Sequence, residues 1–202
     1  MLPAVASPRP VPDTVRMHGT DLTDQFLIAM PALSDPNFAQ AVAYVAQHNA
    51  EGAFGIVINR PADVTLEEIL AQMDLRAATP EIGAQPVYSG GPVDTERGFV
   101  LHAPLGDWEA TLPVSDDIGV TTSRDILEAM AKGEGPEESL LALGYAGWDA
   151  GQLEQELGQN TWLSVPATRE VLFRTPAEQR WQAAASTLGV DLTLLSKDAG
   201  HA

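Results

Sequence analysis

Two short runs constrain the fold more than any other part of this chain. Ala41-Val-Ala-Tyr-Val-Ala46 and Phe54-Gly-Ile-Val-Ile58 are apolar at nearly every position. Successive side chains of a strand point to opposite faces, so a strand that is apolar throughout needs cover on both. His48-Asn-Ala-Glu-Gly52 between them is rich in turn formers, and the two runs read as a hairpin. A chain built on such a hairpin must pack material above it and below it.

The remaining segments alternate between strand-like and helix-like patterns. Phe26-Leu-Ile-Ala-Met30 reads as a first strand, stopped by Pro31. Thr65-Leu-Glu-Glu68 is a capping-box pattern, and Leu66, Ile69, Leu70 and Met73 follow as one helical stripe. Pro86-Val-Tyr88 and Gly98-Phe-Val-Leu-His102 read as strands, with more β-structure expected near Ala110–Val114 and Ile118–Thr121. Thr122 or Ser123 caps a helix carrying Ile126, Leu127 and Met130, which Gly133 and Gly135 end. Leu140–Tyr145 reads as a strand, Asp149-Ala-Gly-Gln152 as a capping box for a short helix, and Trp162–Val165 as a further strand. Thr175-Pro-Ala-Glu178 is the strongest helix start, with Trp181, Ala184, Ala185 and Leu188 as the expected core face. Consecutive strands joined by turns, without regular βαβ crossovers, indicate an α+β fold. The expected form is a mixed, largely antiparallel sheet or small barrel with helices packed around it.

A chain of 202 residues with 45% hydrophobic content can bury a core without metal or disulfide help. It contains no cysteine, which removes disulfides, thiolate nucleophiles and Cys-ligated metals and fits a reducing compartment. The first twenty residues hold Pro3, Pro8, Pro10 and Pro12 and no apolar h-region, so a flexible tail over 1–20 and a single domain over 21–202 are expected. No stretch reaches the roughly 18–20 apolar residues of a membrane span. A cytoplasmic protein is the expectation. The net charge is −17, with 11 Lys+Arg against 28 Asp+Glu. A duplex-binding surface needs clustered cations to displace phosphate counterions. The acidic balance therefore disfavours direct nucleic-acid binding, and an anionic membrane for the same reason.

Each motif with chemical potential has a bland counterpart. Gly90-Gly91-Pro92 could offer backbone N–H groups to an anion, but no Gly-Lys-Ser/Thr follows as in a P-loop, and a tight turn needing positive φ accounts for it better. No G-x-G-x-x-G opens a helix, so no nucleotide cofactor is indicated. Histidines stand at 18, 48, 102 and 201, without the spacing of a metal pair; His48 and His102 are the two worth following. Ser89, Ser115, Ser123 and Ser164 lack a nucleophile elbow. Asp35 and Asn59-Arg60-Pro61 lie at strand ends, where Asx-type turns form and where binding residues also gather. Trp148, Gln152, Glu154, Asn160 and Trp162 form the densest large and polar cluster, for which packing at the core edge outweighs ligand stacking.

Several of these segments in register resemble the AlgH (YqgE) family of bacterial proteins. They are Leu27-Ile-Ala-Met-Pro31, Leu33-Ser-Asp-Pro-Asn-Phe38, Gly52-Ala-Phe-Gly-Ile-Val-Ile-Asn-Arg-Pro61, Gly90-Gly-Pro-Val93 and Arg97-Gly-Phe-Val-Leu-His102. The carboxyl-terminal half adds Thr122-Ser-Arg-Asp-Ile-Leu127, Leu143-Gly-Tyr-Ala-Gly-Trp148, Gly151-Gln-Leu-Glu154, Asn160-Thr-Trp162 and Leu172-Phe173. The resemblance implies a bifurcated β-structure that includes a small closed barrel surrounded by helices. It implies an association with transcriptional regulation, but no agreed activity or catalytic residues.

The leading expectation is a non-enzymatic regulatory or adaptor protein acting through protein partners, without cofactor or metal. The competing expectation is a ligand-binding protein or enzyme with a pocket near Asp35, Asn59, Gly90–Pro92 and His102. A transcriptional regulator is the third. The candidate contacts are Asp35, His48, Asn59, Arg60, Gly90, Gly91 and His102. Gly144-Tyr-Ala-Gly-Trp148 is expected to be a buried junction from which Asp149 launches a helix.

Overall fold

The computed structural model describes residues 21–189, 191 and 192. The tail expected over 1–20 lies outside the described residues. The strands are β1 (Gln25–Ala29), β2 (Val42–Asn49), β3 (Gly52–Val57), β4 (Pro61–Thr65), β5 (Pro86–Ser89), β6 (Val93–Ala103), β7 (Thr111–Pro113), β8 (Gly119–Thr121), β9 (Glu138–Asp149) and β10 (Trp162–Pro166). The α-helices are α1 (Leu66–Gln72), α2 (Pro80–Gly83), α3 (Arg124–Lys132), α4 (Gln152–Gly158) and α5 (Arg180–Ser186). A π-helical turn covers Glu170–Arg174 and a 3-10 turn covers Ala177–Gln179.

The sheet forks at β9. Its first half lies between β5 and β6, with Leu141 opposite both Val87 and Val100. Its second half pairs with β3, with Ala146 opposite Gly55 and Trp148 opposite Ala53. Beyond β3 the order runs through β2 and β1 to β10; beyond β6 it runs through β8 to β7, and β4 adds to β5. Every described pairing is antiparallel except β5 with β9. The α+β, largely antiparallel expectation is met. The small closed barrel is not shown, because β10 and β7 stand at the two open ends of the strand order.

The hairpin is covered on both faces, as its composition requires. Phe26, Ile28, Val42, Tyr44 and Ile56 point into one cluster together with Tyr88, Phe99, Leu101 and Ala142 from the other arm of the fork. Leu27, Ala29, Ala43, Val45 and Val57 point the other way, onto Trp148, Trp162 and Leu153 of α4. A third cluster joins Val87, Val100 and Leu141 to Leu66 and Leu70 of α1 and to Ile126 and Met130 of α3. The strand period of two therefore sorts side chains into separate layers, and the central layer is shared by both arms.

Several local expectations need correction. Thr65 and Glu68 do form the capping box, with the Thr65 N–H donating to Glu68 Oε2 at 2.7 Å. Ser123 occupies the cap position of α3, but its hydroxyl donates to Asp125 and accepts from the Ala110 N–H. Asp149 ends β9 rather than capping α4; Gly151 is the cap at φ +76°, and Gln152 only returns a bond to the Asp149 N–H. Thr175-Pro176 opens the 3-10 turn, with the Thr175 hydroxyl donating to Glu170 O, and α5 begins later at Arg180. The expected face largely holds, with Trp181 packed on the core and Ala184 and Ala185 buried. Arg180, at 4% exposure, lies inside with Ala184 and Ala185, whereas Leu188 is 50% exposed. No helix among the described residues is long and apolar enough to cross a membrane.

Gly144 sits at the fork with φ +73°. A methyl group there would lie 2.6 Å from Gly91 O, and one on Gly90 would press on Gly144 O. Left-handed backbone and contact with a facing main chain both exclude a side chain. Gly144→Ala is expected to destabilise the protein by more than about 1 kcal/mol. Gly158→Ala, where a methyl meets nothing within 4 Å, is expected to be neutral or stabilising. Urea denaturation of both variants checks the contrast.

Candidate functional site

A cavity of about 340 Å3 opens where the parallel strands β5 and β9 begin. Tyr88 of β5 with Leu140 and Leu141 of β9 line it from the sheet. Leu66 at the start of α1 and Met130 near the end of α3 wall one side, and Phe173, Arg174 and Arg180 wall the other. The last group is delivered by the π-helical turn and the first residue of α5. π-helical turns within proteins are rare and recur at functional sites.

Arg180 dominates the electrostatics. Its Nε donates to Thr175 O at 2.9 Å, its Nη1 donates to Ile58 O, and its Cζ lies 5.1 Å from the centre of the Tyr88 ring. No carboxylate among the described residues lies within ion-pair distance of it. Burial works against the cation, while Tyr88 and Glu178 favour it, and the balance falls below the ordinary guanidinium range. An arginine nonetheless stays protonated in proteins. Among the described residues this buried positive charge is held by carbonyl dipoles and an aromatic face, with no carboxylate at ion-pair distance.

The rim is charged but balanced. Glu138 receives Arg174 Nε at 2.6 Å and Arg169 Nη2 at 2.6 Å, and Arg169 also pairs with Asp117. Burial opposes ionisation of Glu138, but the two guanidinium groups outweigh it and hold the carboxyl below its usual range. Glu137 lines the same cavity and is exposed. The titratable groups around the cavity are therefore Tyr88, Arg174, Arg180, Glu137 and Glu138.

None of the sequence-derived candidates lines this cavity. Asp35, Asn59 and Arg60 do come together, as a clamp. Asp35 Oδ1 accepts the Asn37 N–H at 2.8 Å in the expected Asx turn. Asn59 accepts the Val42 N–H and donates to Gln40 O, both at 2.8 Å, and Arg60 donates to Pro36 O at 2.6 Å and Ala39 O at 2.7 Å. These bonds staple the 35–40 loop to the end of β3. The Gly90 N–H donates to Leu143 O at 2.7 Å, and Gly90 O accepts from Val57 at 2.8 Å, so this glycine is spent on the fork. Gly91, at φ +153°, packs against the Tyr145 backbone. Trp148 and Trp162 are buried and both donate to Glu156 Oε2, at 3.0 and 2.7 Å. Sequence reasoning missed Tyr88, Arg174 and Arg180. The available signal was Arg180 four residues before Ala184, on the helix face taken as apolar.

The two histidines stand apart from each other and from the clamp. His48 lies at the far end of β2 from Val42, which Asn59 holds; its Nδ1 accepts the Leu22 N–H at 3.2 Å, so its proton is on Nε2, 3.0 Å from Glu154. His102 is fully buried in β6. Pro104 O can only accept, so the proton of His102 sits on Nδ1, and Nε2 accepts from the Thr121 hydroxyl at 2.8 Å. Burial lowers the pKa of His102, opposed by the bond to Pro104. No group of three or more His, Asp or Glu among the described residues could hold a metal ion. A histidine whose folded pKa is depressed stabilises the fold above its unfolded value, about 6.5, and that stability is lost as pH falls through the window below it. Thermal melts from pH 7.5 to 5.5 are expected to show this loss, and His102→Gln is expected to flatten it.

Against this geometry, the comparisons with known proteins agree with one another. The profile of the AlgH-like family matches residues 26–193. A UPF0301 protein of Thioalkalivibrio sulfidiphilus is 60% identical over 185 residues, covering 91% of this chain and 98% of the relative. One from Nitrosococcus oceani is 55% identical over 179 residues, covering 89% and 96%. The solution structure of the AlgH protein from Pseudomonas aeruginosa is similar at a TM-score of 0.74 and 48% identity, covering 97% of this chain and 100% of that one. The protein belongs to the AlgH-like family.

Proposed function

We propose that the protein works by binding rather than by catalysis, and that the cleft over Tyr88 receives a small anionic molecule. One observation carries this reading: Arg180 is buried against a cavity, and no carboxylate among the described residues lies within ion-pair distance of it. A buried cation is costly unless it is paired, and a bound anion would supply the missing partner. The π-helical turn that brings Phe173 and Arg174 to the same cavity supports the assignment. A regulatory role fits a protein whose cleft senses such a molecule, and it keeps the adaptor expectation while moving the ligand site away from Asp35, Asn59, Gly90 and His102. Direct duplex binding is not part of the proposal, given a net charge of −17.

Titration of the 15N-labelled protein with acetate, benzoate, phosphate and phenyl phosphate tests the reading. At least one of them is expected to shift the resonances of Tyr88, Phe173 and Arg180 together. Arg180→Gln is expected to weaken that binding by about tenfold or more, the worth of a charge-assisted hydrogen bond. Arg174→Gln serves as a rim variant should the first fail to fold. Shifts scattered over the surface, or binding indifferent to both substitutions, would sink the proposal.

A second reading, contact with a protein partner, draws on a separate surface. Phe54, Phe99, Leu112 and Val120 line a groove of about 440 Å3, and Arg97 stacks on Phe99 at 5.4 Å. Phe54, Phe99 and Tyr145 form one aromatic group with centroids 5.0–5.7 Å apart. Aromatic side chains beside an arginine are the usual anchors of protein contacts. A partner retained by the wild type and lost by folded Phe54→Glu and Arg97→Ala variants is the expected result. Capture that ignores both substitutions counts against this surface.

A further inference from the structure

The walls and the mouth of the Tyr88 cleft differ in a way that selects among anions. Arg180 is buried, held through Nε and Nη1 by two carbonyls and set against the Tyr88 ring. A guanidinium fixed in this way is a rigid planar donor that matches two oxygens of a carboxylate or of a phosphate, so the choice between them falls to the charges around it. Leu66, Met130, Leu140 and Phe173 supply the apolar part of a lining that also holds Gln85 and Ser139. At the mouth the sign reverses. Arg174 is already engaged by Glu138 at 2.6 Å, whereas Glu137 is exposed on the rim. A doubly charged phosphate would leave one charge unbalanced by Arg180 and facing Glu137, and like charges across a site penalise the wrong ligand. The volume, about 340 Å3, lies at the small end of ligand pockets, roughly 300–1,000 Å3.

Resting on the binding reading above, we infer that the cleft selects an apolar monocarboxylate. Its carboxylate lies on Arg180 and its hydrocarbon or aromatic body lies along Leu66, Met130, Leu140 and Phe173. Glu137 excludes the phosphate monoester of the same shape.

The test uses the full chain, 15N-labelled, with 4-phenylbutyrate, its uncharged amide, phenyl phosphate and inorganic phosphate. Binding is read by calorimetry and by the Arg180 Nε–Hε resonance. The carboxylate is expected to move that resonance and to bind about tenfold or more tightly than the amide, as loss of a charged hydrogen bond requires. Phenyl phosphate is expected to bind more weakly than the carboxylate. Glu137→Gln, at an exposed position, is expected to narrow that gap by strengthening phenyl phosphate severalfold while leaving the carboxylate little changed. If phenyl phosphate moves the Arg180 resonance and binds more tightly than the carboxylate, the carboxylate assignment falls and the anion site stands. A Glu137→Gln protein with an unchanged preference overturns the role of Glu137. If none of the four probes moves the Arg180 resonance, the site itself is overturned.

Discussion

The fold depends on the close approach of two backbones at β9. Gly90 and Gly91 press on Gly144 and Tyr145 so tightly that no side chain fits at the contact. That contact lets one strand change neighbours along its length, from β5 and β6 to β3. Because β9 belongs to both arms, the inner faces of the arms meet in one core layer containing Phe26, Tyr44, Tyr88 and Phe99. The Gly144-Tyr-Ala-Gly-Trp148 segment is therefore the junction of the two arms, as expected, while Asp149 ends β9 and does not cap α4.

The same arrangement produces the cleft. The starts of β5 and β9 are flanked by elements from distant parts of the chain, and a cavity remains between them. α1 and α3 arrive from one side, and the π-helical turn and α5 from the other. Arg180 fills the seam. Its N–H groups satisfy the carbonyls of Thr175 and Ile58, which ties α5 to the end of β3. No carboxylate among the described residues pairs with this charge, so the side chain that makes the structural link is also the one proposed to meet an anion.

Much of the fold was legible in the residues. The apolar runs 41–46 and 54–58, the capping box at Thr65 and the strands around Leu140 and Trp162 all follow from local period and punctuation. Failures occurred where a local signal had more than one use. Thr175-Pro-Ala-Glu178 is a sound helix start, but it forms a 3-10 turn, and α5 begins only at Arg180, whose side chain joins the buried face. Arg60 and Asn59 look like binding residues because they are polar at a strand end; they are instead occupied by carbonyls of the 35–40 loop. The tryptophan pair was read as packing, and its burial agrees.

By itself the sequence determined the kind of layers, the positions of most strands and the family, because side-chain period and turn chemistry act between near neighbours. It also determined that the hairpin must be covered twice. Only the tertiary structure decided that β9 would serve two arms and that Tyr88, Glu138, Arg174 and Arg180 would surround one cavity. Those residues meet through contacts between distant segments, and a charge in a helical stripe shows its burial only once the neighbouring strands have closed over it.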